Sequence, residues 1–204
     1  TKASSSPTRI KRASAVAVNL SPSERSVVVD LNTNYFQLFG LPVAFALDAS
    51  SLQPTWRALQ QQWHPDRAAS DDVAAQRHAL QMTSHLNAAY DTLRDPVRRA
   101  RYLLELAGHG SDAERVSVMD TDFLMAQMEL REALEEAAAL HELDAIEAEA
   151  QDWLDALLRE FPLDYADEDW PEATDCLRKM QFMTRLLAEI REQRERLEDE
   201  LDDF

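Results

Sequence analysis

The chain is 204 residues long, 45% hydrophobic and formally −17 at neutral pH, enough for one large domain or two small ones around a real core. Three glycines, a single cysteine and abundant Ala, Leu, Glu, Gln and Arg exclude a β-rich fold, an internal disulfide and a zinc cluster, and no apolar run approaches the roughly 18 residues of a membrane span. Charge is divided unevenly: residues 1–31 carry five basic and two acidic side chains, residues 32–108 seven of each, and residues 109–204 nine basic and twenty-nine acidic, which argues against a nucleic-acid backbone as partner of the C-terminal half.

Residues 1–31 are rich in Ser, Ala and basic side chains, with no acid before Glu24. They show no sustained helical or strand period, so disorder is the expectation for a leader or extension ending near residue 33. Their composition resembles a transit peptide but lacks the apolar core of a secretory signal.

An all-α pattern begins at Asn34. NYFQLFGLP (34–42) predicts a brief first helix stopped by Gly40 and Pro42. Asp48, Ser50 and Ser51 are candidate caps for a second helix with Pro54 in its first turn, and Leu52, Trp56, Leu59 and Trp63 form its apolar stripe. Pro65 stops it. A third helix is predicted from residue 71 or 72 to 93, with Val73, Leu80, Asn87, Tyr90 and Leu93 near one face, ending at Asp95-Pro96. A shorter fourth, 97–106, has Arg98, Arg99 and Arg101 outward, Tyr102, Leu103 and Leu106 inward, and stops at Gly108. The second and third helices, joined by a tight polar loop, are expected to pack antiparallel.

That loop lies in QQQWHPDR (60–67). A His and an Asp on either side of a proline could be a general base with its orienting carboxylate, or two metal ligands. A hairpin tip is convex, however, whereas proton transfer needs a concave site with converging donors. The competing bland reading has Pro65 ending a helix, Asp66 capping the next segment and His64 as an ordinary polar loop residue.

The order short helix, amphipathic helix, His-Pro-Asp, long helix with NAAYDTLRDP (87–96), short basic helix resembles a J-domain over residues 34–106. The resemblance implies that His64, Pro65 and Asp66 contact the ATPase domain of a DnaK-type chaperone and trigger hydrolysis there, with no catalysis by this chain. Arg57 and Arg67 belong to the basic surface the family uses for docking. Gln60, Gln61 and Gln62 are uncharged where relatives are usually basic, so docking is expected to be less salt-sensitive.

The C-terminal half reads as three helices, 121–140, 143–160 and 171–201, with breaks near Glu142 and at Phe161-Pro162. Cys176, Met180, Met183, Leu187, Ile190, Leu197 and Leu201 follow a three-four spacing that makes the last helix a core element, and Cys176 a buried small hydrophobe. The helix DTDFLMAQMELREALEEAAAL (120–140) has more apolar surface than one face needs. Phe123, Ala126, Leu130, Ala133, Leu134 and Ala137 suffice for packing. Leu124, Met125 and Met128 are surplus, and Glu129, Glu132 and Glu136 border them, so the patch either packs on a neighbouring helix or receives a partner.

NYFQLFGLP, RARYLLEL (99–106), DTDFLMAQMELREAL (120–134), LRKMQFMTRL (177–186) and the terminal LDDF together resemble the HscB family, J-type co-chaperones of iron–sulfur cluster biogenesis, over residues 34–204. The resemblance implies an L-shaped molecule: a J-domain, 34–108, docked on a C-terminal three-helix scaffold-binding bundle, 109–204. Carried over by position, Leu124, Met125, Met128, Glu129, Glu132, Glu136 and Phe182 match the surface for an IscU-type scaffold, and the chaperone would be HscA-like. No cofactor is expected, and Cys176 matches no cluster ligand. Residues 1–33 hold no Cys and so no cysteine-rich zinc module of the kind eukaryotic members often carry, which implies a bacterial cytoplasmic form, the basic leader leaving a mitochondrial matrix form as the alternative. Two other classes compete: a general J-protein handing over unfolded clients, and a structural adaptor with a degenerate loop.

Overall fold

The computed structural model describes residues 33–64, 72–110 and 121–202. Residues 1–32, 65–71 (Pro65, Asp66 and Arg67 among them), 111–120 and the terminal Asp203 and Phe204 lie outside the described residues, as do the side chains of Leu201 and Asp202. The described residues form seven α-helices and no strand: α1 Tyr35–Leu38, α2 Ala49–Gln62, α3 Val73–Arg94, α4 Pro96–Leu106, α5 Thr121–Glu136, α6 Leu140–Ala166 and α7 Trp170–Asp202. All seven belong to one compact unit.

Helix starts follow side-chain capping. Asn34, Asp48, Asp72 and Asp95 each accept a backbone N–H from the first turn of the helix they precede, and Asp95 accepts two, from Val97 and Arg98, both at 2.9 Å. With Asp48 as cap, Pro54 falls in the second turn of α2, not the first, and takes out only one interior hydrogen bond on an exposed face.

Helix ends follow one rule three times. In the Schellman motif the residue after the cap turns left-handed while two N–H groups bond backwards onto the last turn. Gly40 (φ 67°) and Gly108 (φ 89°) do this after α1 and α4, with Leu41 N–H donating to Phe36 O and His109 N–H to Leu104 O, both at 2.8 Å. After α6 the left-handed residue is Glu168 (φ 58°), and Asp169 N–H donates to Asp164 O at 2.9 Å. Only glycine enters that region without cost, so a glutamate there is held by its surroundings.

This third motif corrects the expected break at Phe161-Pro162. α6 runs through Pro162 to Ala166. Phe161 is fully buried, its ring 5.1 Å from Phe45 and 5.9 Å from Tyr165. That packing offsets the roughly 3 kcal/mol a proline costs inside a helix. The preceding break lies at 137–139, three residues earlier than expected at its end, where Glu142 turns back to accept the N–H groups of Ala138 and Ala139 at 2.8 and 3.0 Å.

Two packed groups result. α2 and α3 pair as a hairpin with α1 and α4 against α3, burying Phe36, Leu52, Met82, Leu86, Leu93, Leu103 and Leu104. α6 and α7 form the most extensive helix pair, and α5 closes the bundle over Phe123, Leu130 and Leu134. Cys176 is buried there with Met180 and Met183 as expected. Its thiol donates to Leu157 O at 3.3 Å, and burial pushes its pKa to about 12.

α4 packs against α7 and joins the groups. Phe45 meets Phe161, the Tyr165 hydroxyl donates to Leu103 O at 3.4 Å, and His109 stacks on Trp170 at 4.6 Å, whose indole in turn meets Tyr165 edge-on. Arg99, expected on the surface, is 7% exposed and belongs to this joint. Its guanidinium lies 5.1 Å from the centre of the Phe45 ring and donates to Leu93 O at 2.6 Å. Desolvation lowers its pKa, with Asp95 opposing, and the Leu93 carbonyl and aromatic face compensate the buried charge. Leu106, expected inward, is exposed, and Leu104 takes its place in the core.

Candidate functional site

The tip of the hairpin is fixed on both sides of the His-Pro-Asp segment. α2 ends at Gln62 with Trp63 as its cap; the Trp63 N–H donates to Leu59 O, and the Thr83 hydroxyl is shared between Ala79 O at 2.9 Å and Trp63 O at 3.2 Å. The Trp63 indole meets His78 edge-on at 5.6 Å. On the far side Asp72 caps α3 by accepting Ala75 N–H at 2.9 Å. His64 follows Trp63 directly and is exposed. The hairpin is thus latched to α3 one residue before the histidine.

NAAYDTLRDP is legible as hairpin construction. The Asn87 carboxamide oxygen accepts both Trp56 Nε1 and the Gln60 amide at 3.0 Å. Tyr90 stacks on Trp56 at 4.9 Å with the Arg94 guanidinium 5.4 Å from its ring centre, Leu93 is fully buried, and Asp95-Pro96 starts α4. Gln60, counted from the sequence among the uncharged replacements on a basic face, is therefore a structural side chain. Arg57 is exposed one turn earlier on α2.

On α5 Phe123, Leu130 and Leu134 are buried, whereas Leu124, Met125 and Met128 are 41%, 55% and 64% exposed. At about 100° per residue these three point away from the buried stripe, so no helix of the bundle can cover them. Glu129, Glu132 and Glu136 are exposed on the same arc. Phe182 is set differently: half-buried on α7, it meets Phe123 edge-on at 6.0 Å with the Arg131 guanidinium 5.5 Å from its ring centre. It lies on the flank of the patch, in the α5–α7 seam. Arg131 also reaches Glu189 at 3.7 Å. The Arg131–Phe182 pairing joins residues 51 positions apart, so no sequence periodicity could have announced it. Ala133, counted toward the packing stripe, is exposed.

Among the described residues no group of three or more His, Cys, Asp or Glu side chains is arranged to hold a metal ion, and no helix is long and apolar enough to cross a membrane. The packed helices thus carry an exposed His64 at the end of α2 and, on α5, an exposed apolar patch bordered by carboxylates.

The model of the HSCB C-terminal oligomerisation domain matches residues 119–191. The co-chaperone protein HscB homolog of Acinetobacter baumannii is 42% identical over 171 residues, covering 84% of this chain and 96% of that protein. Among solved structures, chaperone HscB from Vibrio cholerae is similar with a TM-score of 0.71 and 38% identity, covering 81% of this chain and 99% of its own. Human co-chaperone protein HscB gives a TM-score of 0.74 at 25% identity over 93% of each chain.

Proposed function

The chain belongs to the HscB family of co-chaperones, and on that premise we propose that it stimulates the ATPase of an HscA-like, DnaK-type chaperone and delivers an IscU-type scaffold to it for iron–sulfur cluster assembly and transfer. Residues 34–108 are then the J-domain and residues 109–204 the scaffold-binding domain. The chain itself is an adaptor, not an enzyme, and the bacterial relatives favour the cytoplasm as its compartment. The observation that carries the reading is the face of α5: Leu124, Met125 and Met128 point away from their own core and are bordered by carboxylates. Such a face is suited to one folded partner with an apolar and basic surface, and flexible Met side chains adapt to it.

At the other end His64, Pro65 and Asp66 act on the chaperone. A carboxylate and an imidazole on either side of a proline can form charge-assisted hydrogen bonds to an arginine of the partner. Binding the hydrolysis-competent state more tightly than the resting one speeds hydrolysis, and each tenfold needs about 1.4 kcal/mol of differential affinity. Arg57 and Arg67 provide steering, and Trp63, in contact with Thr83 and His78, holds the end of α2 on α3.

The two sites are separable by mutation. His64→Gln is expected to abolish ATPase stimulation while scaffold binding, read by titration calorimetry, stays at the wild-type value. Replacing Leu124, Met125 and Met128 by Ala is expected to weaken scaffold binding about a hundredfold or more without lowering the melting temperature, because exposed anchors contribute to binding and not to the core. Unchanged scaffold affinity in the triple variant would remove the α5 face from the interface.

A further inference from the structure

α5 ends without the device that closes α1, α4 and α6. Ala137, Ala138 and Ala139 follow it and none of them turns left-handed, so no Schellman bond serves its last carbonyls. Its charge is also set the wrong way. The C-terminal end of a helix carries partial negative charge, yet α5 closes on Glu132, Glu135 and Glu136 with no basic residue in its last turn. By its own sequence this turn is prone to fray, and it carries two of the carboxylates that border the apolar patch.

Support comes from α7. The side-chain amide of half-buried Gln193 donates to Leu134 O and to Ala137 O, both at 3.1 Å. Two carbonyl acceptors require the nitrogen end of the carboxamide, which fixes its orientation. Arg194 beside it reaches Asp144 and Glu147 on α6 at 2.7 and 2.6 Å, so one turn of α7 holds both the end of α5 and the start of α6. The other end of α5 is held differently. There Phe123 is buried and meets Trp153 and Phe182 edge-on at 5.9 and 6.0 Å, which sets the apolar residues of the patch. Leu134 adds apolar contact near the C-terminal end, while the backbone of that turn depends on Gln193.

We infer that Gln193 is a positioning residue for scaffold recognition: by satisfying the carbonyls that end α5, it keeps Glu132 and Glu136 in line with the apolar patch, facing a basic surface of the scaffold. The inference rests on the proposed scaffold binding and adds a residue that acts through the α5 backbone. It also accounts for a helix end that is poor for stability: the carboxylates stay where the partner reads them, and a side chain from α7 offsets what they cost.

The test titrates the purified IscU-type scaffold of the same species into the full chain at low and high salt, with thermal melting followed alongside. Gln193→Ala is expected to weaken binding about tenfold at low salt and to lose most of that deficit at high salt, because misplaced border carboxylates cost electrostatic attraction. Gln193→Met, which keeps the bulk and removes the donor, is expected to do the same. Glu132→Gln/Glu136→Gln is expected to weaken binding in the wild-type background and to add nothing in the Gln193→Ala background, whereas Leu124→Ala costs the same factor in both. Gln193→Lys keeps a donor for the carbonyls and suits a helix C-terminus, so it is expected to restore wild-type affinity. A merely structural side chain would lower the melting temperature without this selectivity. Wild-type affinity in Gln193→Ala and Gln193→Met overturns the inference and leaves scaffold binding standing. A loss that is equal at both salts and adds in full to that of Glu132→Gln/Glu136→Gln does the same. No binding by the wild-type protein overturns both readings.

Discussion

Asp164 illustrates how charge in the acidic half acts at a single residue. It lies near the C-terminus of α6, where partial burial and the carboxylates of Glu160, Glu172, Asp169 and Asp167 hold its pKa above the usual carboxylate value. The folded state therefore keeps this proton to higher pH than the unfolded chain does. Its stability contribution is complete below the unfolded value and is lost as pH rises through the folded one. Asp164→Asn is expected to stabilise the protein at pH 7 by about 0.5 kcal/mol, with the difference vanishing in acid, as read by thermal melts across pH. A variant no more stable than wild type at pH 7 would contradict that account. Arg99 is the converse case. Its charge is buried, so the sequence, which shows only an arginine in a basic run on a surface helix, pointed it outward; the acceptor at Leu93 and the ring of Phe45 become visible only once α4 is folded onto its neighbours.

At the scale of helices, Asn87 is the side chain on which the hairpin depends. Its single oxygen accepts from both Trp56 and Gln60. Asn87→Ala leaves two part-buried donors without an acceptor and is expected to cost about 2 kcal/mol, lowering the melting temperature by about 4–8 °C for a unit of this size. An unchanged melting temperature would show that the clamp contributes nothing. The number and order of helices were legible because capping residues and three-four spacing report local physics: Asp48, Asp72 and Asp95 are caps by chemistry alone. What escaped was tertiary. Pro162 reads as a stop, yet Phe161 packing carries α6 through it, and the real stop at Glu168 has no glycine to announce it. Val73 and Leu80 satisfy the α3 period but lie opposite the stripe that α3 buries, and are exposed. The surplus of Leu124, Met125 and Met128 could be read directly, since a helix can bury only one face, and their exposure in the fold is the geometric counterpart.

Over the whole molecule, the joint between hairpin and bundle sets how the two proposed sites act together. Phe45 between α1 and α2 on Phe161, His109 just after α4 on Trp170, and Tyr165 on the carbonyl of Leu103 in α4 tie the hairpin group to α6 and α7 with rings that have few rotatable bonds. A stiff connection would hold a scaffold bound at the proposed α5 face at a high effective concentration near a chaperone engaged at the proposed His64 site, so that a direct contact between scaffold and chaperone forms intramolecularly and favours the ternary complex. The central claim is therefore coupling, and steady-state ATP hydrolysis by the HscA-like chaperone tests it most directly when measured with this protein, with the IscU-type scaffold, and with both. The account predicts stimulation by the pair well above the sum of the separate effects; stimulation by this protein that the scaffold leaves unchanged would contradict it.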